Sequence, residues 1–157
     1  MTLLVSWVGI DTHGPSSIYI ASDSQISWGT SAKFDLGRKV FAFSKWPDIL
    51  GYCGDVLFPS IVLNQIVELG DAGLLFAPTY SCTQKFQAIV NKLNDSFAAY
   101  PQMHSGLAEN SLSVIHASRD PFVTSLGSGL ANCITGSGCV LGHHGNTMQA
   151  CPQPITR

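Results

Sequence analysis

With 157 residues, the chain has room for one domain with a substantial core and not for two ordinary ones. Its residues are 45% hydrophobic and only 11% charged, against roughly 25% charged in ordinary soluble domains, so other copies of the chain are expected to cover part of its surface. Eight Lys and Arg against ten Asp and Glu give a net charge of −2; without a basic stripe, nucleic acid is not an expected partner.

The chain opens on an apolar run, "MTLLVSWVGI", that lacks a positive leader and meets Asp11 before any small-residue cleavage site, unlike a secretory signal. Leu3 to Val8 predicts a strand. The segment "GIDTHGPSS" predicts a long connection to a second strand, "IYIAS", and a short third strand covers Gln25 to Trp28. After a loop through "GTSAKFDLG", "KVFAF" and "DILGYCG" predict a hairpin turning at "SKWPD".

Helical periodicity then takes over. In "DVLFPSIVLNQIVELG", Ile61, Val62, Ile66 and Leu69 fall on one side, Pro59 is tolerable near the start, and Gly70 predicts the stop. A second helix opens at Ser81, with Gln84 completing a capping box, and aligns Phe86, Ile89, Val90, Leu93 and Phe97. Strands return as "SLSVIHAS" and "FVTSLGS", with "RDP" between them. This block order predicts an α+β fold of antiparallel sheets with two helices on one face.

Beyond Gly129 the sequence is rich in Gly, Cys and Pro and lacks periodicity, so residues 130–157 are expected to form an irregular tail to a domain over residues 1–129. Cys133, Cys139, His143, His144 and Cys151 are ligand types, but their spacing fits no zinc pattern, and no metal is assigned. With Cys53 and Cys82 the cysteines are scattered, which argues for a reducing, cytoplasmic compartment. No stretch approaches the roughly 20 apolar residues of a membrane helix. His13, His104 and His116 are isolated, and loop or sheet-face positions explain each.

The threonine behind Met1 suggests a chemistry. Removal of Met1, usual before a small residue, gives Thr2 a hydroxyl and a free α-amine together. That amine, with an ordinary pKa of roughly 7.7 to 8.0, can take the hydroxyl's proton. A neighbouring cation and a carboxylate to hold it are then required. Asp23, ending the second strand, and Lys39, opening the fourth, are the candidates; Lys33 is the substitute cation.

Thr2, "ASDSQ", a Lys sixteen residues after that Asp, "GYCGD", two helices and "SLGSG" together resemble the proteasome β-subunit and HslV-type peptidases, which are N-terminal-nucleophile hydrolases. The resemblance implies an αββα sandwich, here with its second helical layer reduced or missing after Gly129. It implies Thr2 as nucleophile and base, Asp23 and Lys39 as the electrostatic pair, and Ser128 as a hydroxyl near the terminal amine. The Gly54 N–H would serve the oxyanion, and Tyr52, with Gly51 beside it, would border the substrate. It further implies a peptide or unfolded-protein substrate, a homo-oligomeric ring, an ATPase unfoldase as partner, and no cofactor. A non-catalytic assembly subunit and a small-molecule amidase of the same class are the alternatives.

Overall fold

The computed structural model describes residues 3–28, 30–101, 112–119, 139–144 and 147–152, the last two segments as backbone. Among these residues the chain is α+β, with antiparallel sheets and two helices in three layers. A hairpin of β1 (Leu4–Asp11) and β2 (Gly14–Ser22) forms the outer layer. A five-stranded antiparallel sheet forms the middle: β5 (Val40–Ala42), β6 (Asp48–Gly54), β7 (Leu112–Ser118), β8 (Cys139–His144) and β9 (Thr147–Pro152), in that spatial order. Helices α1 (Leu57–Asp71) and α2 (Cys82–Ala99) form the third. Between the hairpin and β5, β3 (Ile26–Trp28) and β4 (Ala32–Phe34) make a small two-stranded sheet of their own.

Strand alternation sorts the middle sheet's two faces. Phe41, Leu50, Tyr52, Leu112 and Val114 are buried in one core with Phe58, Val62, Leu63 and Ile66 of α1 and Ile89, Val90, Leu93 and Phe97 of α2. The opposite face meets the hairpin at Gly51, where an added Cβ would stand 2.9 Å from both Ile20 and Leu4 side-chain carbons. The absence of a side chain there allows the two sheets to approach closely.

The predicted capping box is present: the Ser81 hydroxyl accepts the Gln84 N–H, and the Gln84 side chain accepts the Ser81 N–H at 2.9 Å. The apolar stripe of α1 is rotated from the predicted one. Ile61 is 46% exposed, while Phe58, Val62, Leu63 and Ile66 face the core. Gly70 does not stop α1, which continues to Asp71; an added Cβ at Gly70 would sit 2.4 Å from the Phe43 ring, so it is a contact point with β5.

Three other expectations are corrected. The first hairpin has a two-residue turn, Thr12–His13, rather than a long connection. Asp11 accepts the His13 N–H at 2.7 Å, and Pro15 is accommodated opposite the bulge at Gly9/Ile10. Residues read as loop supply β4, whose pairing partner β3 precedes it closely. Residues 139–144 and 147–152, read as irregular tail, extend the sheet, with Val114 opposite Leu141 and Val140 opposite Cys151. Their order comes from the edge of β7, a partner that local periodicity does not register. The predicted strand "FVTSLGS" lies outside the described residues.

Candidate active site

The fifteen residues between Asp23 and Lys39 form a closed excursion. The chain leaves β2, makes the β3–β4 pair, and is pinched shut where the Gly37 N–H donates to the Ser24 carbonyl at 2.8 Å and Gln25 Nε2 donates to Asp35 at 2.8 Å. A Cβ on Gly37 would lie 2.6 Å from Ile26 side-chain carbons and 2.8 Å from the Ser24 oxygen. Only glycine passes through this neck unstrained. Closure of the neck returns Lys39 to the end of β2 where Asp23 stands.

Lys39 is buried, at 2% exposure, and its Nζ donates to Asp23 Oδ1 at 2.8 Å and to the Gln25 carbonyl at 2.6 Å. An ammonium has three protons, so one remains beyond these two bonds. The same Asp23 oxygen accepts the Leu3 N–H at 3.3 Å, and the Asp23 N–H returns a bond to the Leu3 carbonyl at 3.1 Å. The bond from Lys39, aided by that from Leu3, holds the Asp23 carboxyl below its usual value despite some desolvation. The pair is therefore fastened to the residue that follows Thr2. Lys33, the substitute cation, lies exposed on β4 opposite Ser27 and plays no part in this contact.

Gly54 ends β6 with φ of 104°, a left-handed conformation that favours glycine. It is exposed. Cys53 precedes it; burial pushes its thiol up, and both Lys39 and Asp23 act on it electrostatically, which places the end of β6 in the same electrostatic neighbourhood. Gly51 is buried beneath Leu4 and Ile20, and its geometry is that of a packing contact rather than of a substrate-lining position. Tyr52 is fully buried on the helix side, its hydroxyl near the Arg38 carbonyl at 3.4 Å and its pKa pushed up to about 12 by burial. It presents no surface to a substrate in this conformation. Thr2 and Ser128 lie outside the described residues.

A second polar cluster has no counterpart in the sequence reading. Lys85 Nζ donates to Asp48 Oδ2 at 2.8 Å, and His116 Nε2 contacts Asp48 Oδ1 at 2.8 Å, with all three side chains fully buried. Burial alone would raise the Asp48 carboxyl, but the bonds from His116, Lys85 and Ser118 outweigh it and hold the carboxyl below its usual value. A signal was present: Lys85 lies one turn before Ile89 on the apolar stripe of α2, and a cation there requires a buried anion. Its partner Asp48 is far away in sequence.

Among the described residues, no group of three or more His, Cys, Asp or Glu is placed to hold a metal, and no helix is long and apolar enough to cross a membrane. Neither protein-family models, nor characterised proteins, nor solved structures give a match to this chain.

Proposed function

We propose that the chain is a threonine-type N-terminal-nucleophile peptidase. The observation that carries this reading is the buried Lys39 ammonium, bonded to a carboxylate that also grips the Leu3 N–H, one residue beyond Thr2. Once Met1 is removed, the Thr2 hydroxyl attacks a peptide carbonyl while its α-amine accepts the proton. The remaining Lys39 proton and the Gly54 N–H stabilise negative charge at the nucleophile and at the carbonyl oxygen. The α-amine passes its proton to the leaving amine, and water hydrolyses the ester. This chemistry is completed by protein groups alone.

The αββα sandwich belongs to the same proposal, supported by the order of helices, five-stranded sheet and hairpin. A homo-oligomeric ring and an ATPase unfoldase in the cytoplasm complete it; Leu3, Val5, Trp7 and Tyr19, all exposed on the outer hairpin, supply apolar surface for such contacts. That apolar surface also favours a second reading, a non-catalytic assembly subunit.

Intact mass and hydrolysis of fluorogenic peptides test the proposal. The expected protein lacks Met1, cleaves peptides, loses cleavage as Thr2→Ala and keeps part of it as Thr2→Ser. Retention of Met1 without hydrolysis selects the assembly subunit, and unchanged cleavage by Thr2→Ala excludes Thr2. Hydrolysis of simple amides but not peptides selects the amidase.

A further inference from the structure

We propose that the Asp48–Lys85–His116 cluster is an acid-released latch that fastens helix α2 to the central sheet. Its three members come from three elements: Asp48 opens β6, Lys85 lies in the first turns of α2, and His116 is on β7. Asp48 is an acceptor at both oxygens, so the Nε2 atom of neutral His116 carries the ring proton and donates it. The carboxylate and ammonium balance, and the cluster is neutral overall. His116 Nδ1 is then a bare lone pair, buried and without a partner among the described residues.

Acid adds its proton at that atom. Among the described residues the new N–H is a buried donor with no acceptor, and the cluster acquires a net positive charge with no further anion to meet it. Every described neighbour is unable to help. From α2, Phe86 stacks on the imidazole with ring centroids 6.1 Å apart, and Lys85 is already cationic. From β6 and β5, Leu50 and Phe41 share the cross-strand row of His116. On β7, the Ser118 hydroxyl is shared between the Asp48 carboxylate and the Cys82 sulfur, 3.4 Å away; Arg119 beyond it is another cation, and β8 offers its backbone at Cys139. Near Lys85, Trp46 presents its ring 4.9 Å from the ammonium. An open groove of about 350 Å³ beside β2, whose lining includes Ser16, Ile18, Ile49, Asp48 and Ser118, lies next to the sealed cluster. The protonated state is relieved by moving α2 away and letting water reach the ring. The opened state binds more protons than the closed one, so opening is favoured as pH falls.

Amide hydrogen exchange of the full chain, corrected for intrinsic rates, tests the latch between about pH 7.5 and 5, where imidazoles ordinarily titrate. Protection in α2 is expected to fall roughly tenfold or more relative to α1, the scale of one buried donor left without an acceptor. His116→Gln places an amide N–H at the Nε2 position but takes up no proton, and its α2 protection should stay level over this range. An equal fall in His116→Gln, or no fall in the parent, overturns the proposal. If that variant does not fold, ring 15N shifts of the parent decide: Nδ1 protonation must coincide with the loss of α2 protection, and protonation with α2 still protected rules the latch out. The readout involves no hydrolysis, so it stands or falls separately from the peptidase reading.

Discussion

The chain contains two buried lysines, each with a carboxylate at 2.8 Å, and their surroundings assign them different work. Asp48 beside Lys85 is wholly sealed, whereas the Asp23 side chain is 31% exposed beside Lys39. Lys85→Ala strips the buried Asp48 anion of its cation and leaves it His116 alone of the two partners, and loss of one partner of a buried pair typically costs about 3–5 kcal/mol; urea unfolding should show a loss of that size. Lys39→Ala leaves Asp23 partly open to water, so less of its stability loss should come from a stranded charge than in Lys85→Ala. Its peptide hydrolysis should instead fall by roughly 10²- to 10⁴-fold, the usual span for a group that assists proton transfer. A variant profile with these two effects exchanged would reverse the assignment. Asp23 and Lys39 were legible because their spacing belongs to a recognisable series of short motifs. Lys85 was not, because its partner lies on another element far along the chain and His116 further still.

Elements whose instructions are local were read well. Helix α2 announces itself through Ser81, Gln84 and an apolar stripe, all within its own length, and removing the cap oxygen in Ser81→Ala should lower stability by about 1 kcal/mol, measurable as a lower urea midpoint at unchanged slope. The first hairpin was misread because Gly14 and Pro15 usually punctuate loops, while a neighbouring bulge admits them into β2. Strands β8 and β9 were missed because pairing with β7 creates them. The β3–β4 excursion shows how such an element serves the site. Gly37→Ala forces a Cβ against the Ser24 oxygen at 2.8 Å and Ile26 at 2.6 Å, a close-packing error of about 1–3 kcal/mol. Opening the neck should loosen Lys39 from Asp23, so hydrolysis should drop by more than the stability loss accounts for. If hydrolysis instead persists in the folded variant, the neck does not position Lys39.

At the scale of the molecule, three carboxylates link the layers beside the apolar core, and these links shape the response to acid. Asp48 ties α2 to the sheet; Asp23 ties the hairpin to the start of β5. Asp71, at the end of α1, accepts the Ser44 and Lys45 N–H groups of the β5–β6 turn; desolvation would raise its carboxyl, but these bonds together with the nearby Lys45 charge outweigh it and hold the carboxyl below its usual value. All three carboxyls are lowered from about 3.8 in the folded chain. A depressed carboxyl contributes stability that is fully present above the ordinary carboxylate range and is lost as pH falls through its folded value. The parent chain should therefore lose structure in two stages: release of α2 in the imidazole range, then separation of the layers below about pH 4. His116→Gln should keep only the second stage, and Asp71→Asn, which removes the charge but retains an acceptor oxygen, should flatten that stage without altering the first. Far-UV circular dichroism would follow the lower stage and Trp46 emission the upper, since the Trp46 ring lies over Lys85 and its Nε1 proton is bonded to the Gly70 carbonyl at 2.9 Å. A single transition below pH 4 in both probes would mean that the three layers separate together and that the buried imidazole gives α2 no independent release.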